Sequence, residues 1–401
     1  MKKRILTLSL TALLALSGCA LNPSASSSDS GSSTSDSGSS TSDSVSSTSD
    51  SENVTPRPTP ASAVELYQLA PNKNALIQSY VIKTKNNKLI VIDGGIDGMG
   101  ASSDPYLPSA LRSILCLEEG EYFEVEAWFL SHAHSDHYYE LSKMLADYSE
   151  DSNYKINEFY FDFPDFDDYY AARNGLPSYK YGTLTKFNQF KLNLNNYANV
   201  NGIDIESESM LWYDDINGST INSAEIKWGL DIEIDGIRFE IMQTWDYADR
   251  KGSEDINETS LVMRAHVEGQ SILFLNDLGG FNSDRSSGAR LVNTYGEALK
   301  SDIVQMAHHG QKGSQKALYD LVDAKVHLWP TPAFVWNYPN DYTHLVETRK
   351  WVNDGKDFVR GDAYNIVACL YEAYPKNPTK VADWNEVKDG MKITLPYNPE
   401  V

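Results

Sequence analysis

Three imidazoles and a carboxylate fall within six positions of this chain, in the stretch Ser131-His132-Ala133-His134-Ser135-Asp136-His137. Only eight histidines occur in 401 residues, so this is a concentrated donor set. Neutral imidazole nitrogens and carboxylate oxygens suit zinc and its first-row neighbours. The donors follow the apolar run Ala127-Trp128-Phe129-Leu130, which reads as a strand, and precede Tyr138 to Tyr148, which reads as a helix. A strand feeding a ligand-rich loop that opens a helix is a scaffold for a metal site. The chemistry such a site supports is hydrolysis by a metal-activated water.

Further candidates also end apolar runs. Val91-Ile92 leads into Asp93-Gly94-Gly95, Phe274-Leu275 into Asn276-Asp277, and Val304 to Met306 into His308-His309-Gly310. Strand ends that meet at one sheet edge can converge on a point, whereas residues in mid-strand cannot. Two cations about 3.5–4 Å apart would polarise a phosphoryl or carbonyl oxygen and lower the pKa of a bound water toward roughly 7. The hydroxide so formed is a nucleophile, and Asp136 is placed to orient it. His266 and His327 lie inside apolar strand segments and read as structural. Lys312, in the loop after His309, is either a contact for a substrate phosphate or a solvated lysine, with Ser314 as N-cap of the next helix.

These residues need elements to carry them. Val64 to Leu69, Leu76 to Thr84 and Lys88 to Asp93 read as strands, the last two joined at Asn86-Asn87. Leu107 to Leu117 reads as a helix, Lys155 to Phe163 as a strand, and Leu184 to Tyr197 has helical apolar spacing. Two hairpins follow, Leu230–Ile234 with Ile237–Gln243 around Asp235-Gly236, and Leu261–Val267 with Ser271–Leu275 around Glu268-Gly269. Next come a helix over Ser287 to Lys300, a strand from Asp302 to Met306, a helix from Ser314 to Val322 and a strand from Val326 to Trp329. Leu370-Tyr371 and Ile393-Thr394-Leu395 are expected to add edge strands. Two runs of hairpins interleaved with helices predict an α/β fold of two facing sheets with helices outside.

Taken together, Val91 to Gly95, the His132, His134, Asp136 and His137 cluster, Leu275 to Leu278, and His308 to Gly310 resemble the metallo-β-lactamase fold superfamily. With Asn257, Ser260, Leu261 and Val262 they resemble more closely the hydrolase domain of the competence protein ComEC and its free-standing relatives, which include cell-wall phosphorylcholine esterases. The resemblance covers roughly Val64 to Leu345. It implies an αββα sandwich of two mixed sheets with a two-metal site at one edge. His132 and His134 would hold one metal, Asp136 and His137 the other, and Asp277 would bridge both. His309 or His308 would complete one site, with His309 favoured because a His followed by Gly is usual there. Asp93 and Asn257 would support the ligand loops, and Asp136 and Asp277 would be the catalytic carboxylates. The metals implied are two divalent ions, zinc foremost, with manganese or iron as alternatives. The chain departs from the pattern at Asn276, where Gly usually precedes the bridging Asp, and in having no His between His137 and His266. Asn340-Asp341-Tyr342-Thr343-His344 resembles a late Asn-x-x-x-His-Pro segment, so His344 is either a further ligand or a cap for a helix near Val346.

The two ends of the chain bear on where such a site would work. Met1-Lys2-Lys3-Arg4, the apolar stretch Ile5 to Leu16 and the small residues before Cys19 make residues 1–18 a signal peptide. Leu16-Ser17-Gly18-Cys19 resembles the bacterial lipobox, which implies lipidation of Cys19 and anchoring through its acyl chains. Residues 19–62 are Ser-, Asp- and Pro-rich, without apolar periodicity, and read as a disordered tether. The remaining 340 or so residues, 63–401, are enough for one hydrolase domain with an insertion at about 160–230 and a C-terminal extension. Cys116 and Cys369 form either one disulfide or two buried thiols.

Lys and Arg number 34 against 56 Asp and Glu, a net charge of −22. So acidic a chain does not favour general binding to nucleic acid, which depends on Lys and Arg against phosphates. The aromatic-acidic stretches Phe159 to Tyr170 and Trp212 to Asp215 are either strand and loop packing or a surface for a quaternary ammonium or sugar. The expectation is a lipid-anchored metallohydrolase on the extracellular face of a bacterial cell membrane, cutting phosphoesters such as cell-wall phosphocholine groups. A ComEC-like extracellular nuclease and a catalytically inactive, metal-containing surface binding lipoprotein are the alternatives.

Overall fold

Leu89-Ile90-Val91-Ile92 carries four apolar residues in a row, which a strand buries fully only when both of its faces are covered. Both are. Leu89 and Val91 point into a core beneath helices, while Ile90 and Ile92 point into a second core between two sheets. The same alternation, set by the two-residue period of a strand, repeats through the molecule and produces four layers. The structure is a computed structural model that describes residues 61–69, 78–95, 106–146, 148–163, 179–202, 229–244, 256–279, 286–311, 313–330, 365–366, 385–387 and 390–397.

The first sheet contains β1 (Val64–Leu69), β2 (Tyr80–Lys83), β3 (Leu89–Ile92), β4 (Phe123–Phe129) and β5 (Tyr154–Tyr160), with β13 (Asn385–Val387) and β14 (Gly390–Leu395) from the C-terminal region. Its order is β13-β14-β1-β2-β3-β4-β5, antiparallel up to β3 and parallel from β3 to β5. The second sheet contains β6 (Asp231–Ile234), β7 (Ile237–Gln243), β8 (Val262–Val267), β9 (Gln270–Phe274), β10 (Ile303–Gln305), β11 (Val326–Leu328) and β12 (Asn365–Ile366). Its order is β12-β11-β10-β9-β8-β7-β6, parallel from β12 to β9 and antiparallel from β9 to β6. Two mixed sheets with outer helices are the expected α/β sandwich.

Helices α1 (Tyr106–Leu115), α2 (Ser135–Ala146) and α3 (Tyr179–Val200) belong to the first half of the chain, α4 (Ser287–Tyr295) and α5 (Lys316–Val322) to the second. Leu107, Leu111, Tyr138, Leu141, Phe190 and Leu194 pack with the outward face of the first sheet. Leu291, Leu318 and Val322 do the same with Leu273, Val304 and Met306 of the second. Among the described residues no helix is long and apolar enough to cross a membrane.

Several expectations need correction. Ile393-Thr394-Leu395 lies in β14, which is an interior strand between β13 and β1 and not an edge. The β1 side chains Val64 and Leu66 and the β14 side chains Ile393 and Leu395 share the inter-sheet core, so an inner position is where this strand buries its apolar face. Helix α2 begins at Ser135, not at Tyr138, which puts Asp136 and His137 in its first turn. Ser314 does not cap α5: Gln315 does, without a side-chain bond, and Ser314 is buried. Cys116 is an exposed free thiol, while Cys369 lies outside the described residues. Phe159, Phe161 and Phe163 are buried in the core under α3, so the described part of the aromatic-acidic stretch is packing. Its remainder, and Trp212 to Asp215, lie outside the described residues.

The hairpins close where the turn residues demand. Asp235-Gly236 has φ of 48° and 82°, and Glu268-Gly269 has 50° and 78°. Both central residues thus occupy the left-handed region, which is the twist-matching arrangement for a two-residue β-turn.

A charged cluster fastens β1 to both neighbours: Glu65 accepts from Lys83 Nζ at 2.6 Å on β2 and from Lys392 Nζ at 2.5 Å on β14. Burial would raise the Glu65 carboxyl, but hydrogen bonds from Lys392, Lys83 and Tyr67 outweigh it and hold it at about 2. A carboxyl depressed in the folded state stabilises fully above its unfolded value, 4.5, and that stability is lost as pH falls through about 2. Glu65→Gln is therefore expected to cost on the order of 1 kcal/mol near neutral pH after solvent screening. Chemical denaturation at stepped pH should show the gap between the two proteins closing toward pH 2; a gap independent of pH would contradict the assignment.

Candidate metal centre

Asp93 ends β3 with φ 62°, a left-handed conformation that Asp tolerates better than most residues. Its amide bonds to Phe129 O at 2.8 Å, which pins the turn to the end of β4. Its fully buried carboxylate then accepts from Ser131 N at 2.8 Å, Ser131 Oγ at 2.8 Å and His137 Nδ1 at 2.6 Å. This one side chain therefore shapes the loop that carries the histidine cluster. With Nδ1 of His137 donating to Asp93, Nε2 faces the opposite carboxylate, Asp277 Oδ2, 3.3 Å away.

Gly94 allows the turn to lie against α2. Its amide donates to His137 O, and a Cβ added there would sit 2.7 Å from Leu141 Cβ and 3.2 Å from Leu141 N. Gly94→Ala must push α2 outward, at roughly 1–3 kcal/mol for overpacking. Urea denaturation of the metal-free protein should show that loss, together with weaker metal uptake because α2 carries Asp136 and His137. Unchanged stability would mean that the turn and the helix are not in contact.

The second sheet supplies the other side. Asp277 follows β9 after Asn276, whose φ is 51°, and His308 and His309 follow β10 with φ of 51° and 54°. Three non-glycine residues held in this region at two neighbouring strand ends are backbone strain gathered at one place. His309 is buried, and its Nδ1 lies 2.9 Å from Pro330 O after β11. That contact aims Nε2 at Asp136 Oδ2, 3.4 Å away, and at Asp277 Oδ2, 3.6 Å away. His308 is more open, with 28% of its side chain exposed, and its Nε2 is 3.8 Å from Asp277 Oδ2. Asn257 Nδ2 lies 3.5 Å from the same His308 nitrogen.

His132, His134 and Asp277 present ligand atoms within 4.8 Å of one another, and so do Asp136, His137, Asp277 and His309. Asp277 belongs to both groups, and each group draws on both sheets. His308 belongs to neither, so of the adjacent pair it is His309 that the geometry joins to the donor set.

Charge is balanced inside the site by protons. Burial alone would lower His137, but the charges of Asp277, Asp93 and Asp136 raise it well above the usual imidazole range. Burial likewise opposes the rise of His309, which Asp277 and Asp136 produce. Burial would raise Asp277, yet His309, His137 and His308 hold it well below the usual carboxylate range, and His137 and His309 do the same for Asp136. His132 is pushed well below its usual value by burial and by His137 and His134, so it is neutral. A buried pocket that holds protons between carboxylates is one where cations can take their place.

The donor set fits divalent metal. Asp277 Oδ1 is buried without a hydrogen-bond partner, an arrangement that costs free energy until a partner arrives. Two groups of imidazole and carboxylate donors with one shared oxygen-bearing residue suit a dinuclear site and leave the metal's identity open.

His344, Lys312 and Cys19 lie outside the described residues. His266 sits in β8 with its Nε2 3.1 Å from Glu240 Oε2, and His327 is buried in β11; neither belongs to the two donor groups. Sequence reasoning missed Ser131, which bonds Asp93 while its Oγ lies 3.0 Å from His132 Nδ1. It also missed Gln78 and Gln305, buried amides behind the site. Ser131 adjoins the cluster and was open to notice; nothing local distinguishes the two glutamines.

Residues 75–238 match the family model described as the metallo-beta-lactamase superfamily. No curated protein matches the chain. Among solved structures, the metallo-beta-lactamase fold protein YhfI from Bacillus subtilis is similar at 12% identity and a TM-score of 0.35, over 72% of this chain and 92% of that one. CmlA, a diiron beta-hydroxylase from Streptomyces venezuelae, is similar at 10% identity and a TM-score of 0.40, over 78% of this chain and 53% of that one. The matched segment carries Asp93 and the whole His132–His137 cluster. The two mixed sheets and their outer helices are consistent with the sandwich fold of the superfamily whose model matches residues 75–238.

Proposed function

We propose that the protein is a metal-dependent hydrolase of phosphoester bonds, held on the outer face of a bacterial membrane through lipidated Cys19. The observation that carries this reading is Asp277, shared by two donor groups that draw ligands from both sheets. Bound metals would supply Lewis acidity toward a phosphoryl oxygen and a water acid enough to attack at neutral pH. The chain's own residues hold and aim the donors. Asp93 fixes the tautomer of His137 and Pro330 O orients His309, while Asp136, 3.4 Å from His309 Nε2, would orient the attacking water.

The ComEC-like pattern of motifs supports phosphoesters as the substrate class, and the net charge of −22 favours small or cell-wall substrates over a nucleic acid. The basic, apolar and small-residue order before Cys19, followed by the Ser-rich tether, supports anchoring outside the cell. Zinc is the first choice of metal, with manganese and iron as alternatives.

The test uses the protein purified from the membrane fraction and, in parallel, its soluble part from Ala61 onward. Bound metal is measured, then turnover of bis-p-nitrophenyl phosphate, p-nitrophenyl phosphorylcholine and single-stranded DNA with added zinc or manganese. Turnover of the choline ester supports the cell-wall reading. Turnover of DNA alone favours the nuclease, and no metal with no turnover sinks the enzyme. Recovery of the full-length protein in the soluble fraction would refute the anchor.

A further inference from the structure

The departure at Asn276 has a structural counterpart: the Asn side chain joins the two sheets. Gln78, at the entry to β2 in the first sheet, donates from Nε2 to Asn276 Oδ1 at 2.9 Å and approaches Asp93 Oδ2 at 3.4 Å. Gln305, at the end of β10 in the second sheet, donates to Gln78 Oε1 at 3.2 Å and to Asn276 O at 3.2 Å. Its Oε1 accepts the Asn276 amide, while Asn276 Nδ2 donates to Leu261 O. All three side chains are fully buried. Each of their amide oxygens and nitrogens has a partner, which is the condition for a buried polar network to specify a geometry and not weaken the core.

We infer that Gln78, Asn276 and Gln305 form a positioning clasp that sets the spacing of the two sheets at the metal edge, so that Asp277 reaches both donor groups. This rests on the dinuclear reading of the site. Apolar side chains between the sheets define separation well but tolerate sliding, because dispersion contacts are not directional. The donors cannot tolerate it: His132, His134 and His137 ride on the first sheet and its helix, Asp277 and His309 on the second. The clasp touches both sides at the residues that matter, Asp93 through Gln78 and Asp277 through the Asn276 backbone. A glycine before the bridging Asp would supply the left-handed φ of 51° but no tie.

The experiment compares wild type with Asn276→Gly, which keeps the backbone conformation, and Gln78→Met, which keeps the volume. Each is stripped and reloaded with manganese; stoichiometry, stepwise affinity and the exchange-coupled electron paramagnetic resonance signal of a bridged pair are then read. The expected result is two coupled metals in wild type. In both variants the second metal should bind roughly 10–100-fold more weakly, the range for residues that orient ligands, and the coupled signal should be lost. Asn276→Gln, which retains the amide on a longer stem, should recover less than half of the signal. Two coupled metals at unchanged affinity in both variants would overturn the clasp while leaving the dinuclear reading intact. Fewer than two metals in wild type would overturn both. A variant that does not fold, judged by circular dichroism, is replaced by Gln305→Met, for which the same outcomes apply.

Discussion

Asp277→Asn is expected to empty both metal sites at once and to lower kcat/KM by about a thousandfold, about 4 kcal/mol of transition-state stabilisation. Among the described residues no other belongs to both donor groups, so none of them should have so broad an effect. His134→Ala removes a ligand from only one group and should leave the other metal in place. The amide of Asn matches the carboxylate in shape, which confines the change to charge and to ligand strength. In the metal-free protein Asp277 also offsets the charge on His137 and His309, which it helps to raise. The substitution should therefore lower both imidazoles toward neutrality and loosen the pocket. Metal analysis after dialysis separates the cases: near zero for Asp277→Asn, and about one for His134→Ala. Two metals and full turnover in Asp277→Asn would remove Asp277 from the bridging position.

The donors were legible because metal chemistry restricts residue type and because strand ends are visible as apolar runs. His132, His134, Asp136, His137 and Asp277 each follow such a run, and the structure gathers all five. The choice between His308 and His309 was only partly legible. Both have the same chemistry and nearly the same backbone angles, and burial against Pro330 O separates them. That carbonyl lies 21 positions away along the chain, so no local pattern announces it. The interior place of β14 is hidden for a related reason. A C-terminal apolar run shows that a strand exists, but its neighbours depend on which edge of the sheet the chain left open. Gln78 and Gln305 are the extreme case. Their meaning is a contact across 227 positions, and in sequence each is an ordinary polar residue beside a strand.

Placing Asp93 behind His137 has a consequence of comparable size. Asp93→Ala should cost roughly 3–5 kcal/mol of folding stability, because it removes the carboxylate bonded to Nδ1 of the buried, charged His137. Ser131 N and Ser131 Oγ lose their acceptor as well, and alanine fits the φ of 62° poorly. Asp93→Asn isolates the electrostatic part, since Asn tolerates that backbone and still accepts from Ser131 N. Here the expected loss is about 10–100-fold in metal affinity, because the carboxylate that orients His137 and raises its basicity is gone. The pH dependence supplies an independent readout. In metal-free wild type burial lowers His137, but Asp277, Asp93 and Asp136 raise it well above the unfolded value of 6.5. A raised imidazole contributes stability that is fully present below 6.5 and lost as pH rises through the folded value. Metal-free wild type should thus lose stability as the medium turns alkaline, and Asp93→Asn should lose less over the same span. If the two curves run parallel while metal affinity still falls, Asp93 acts on the loop alone. If both change together, the carboxylate works through His137.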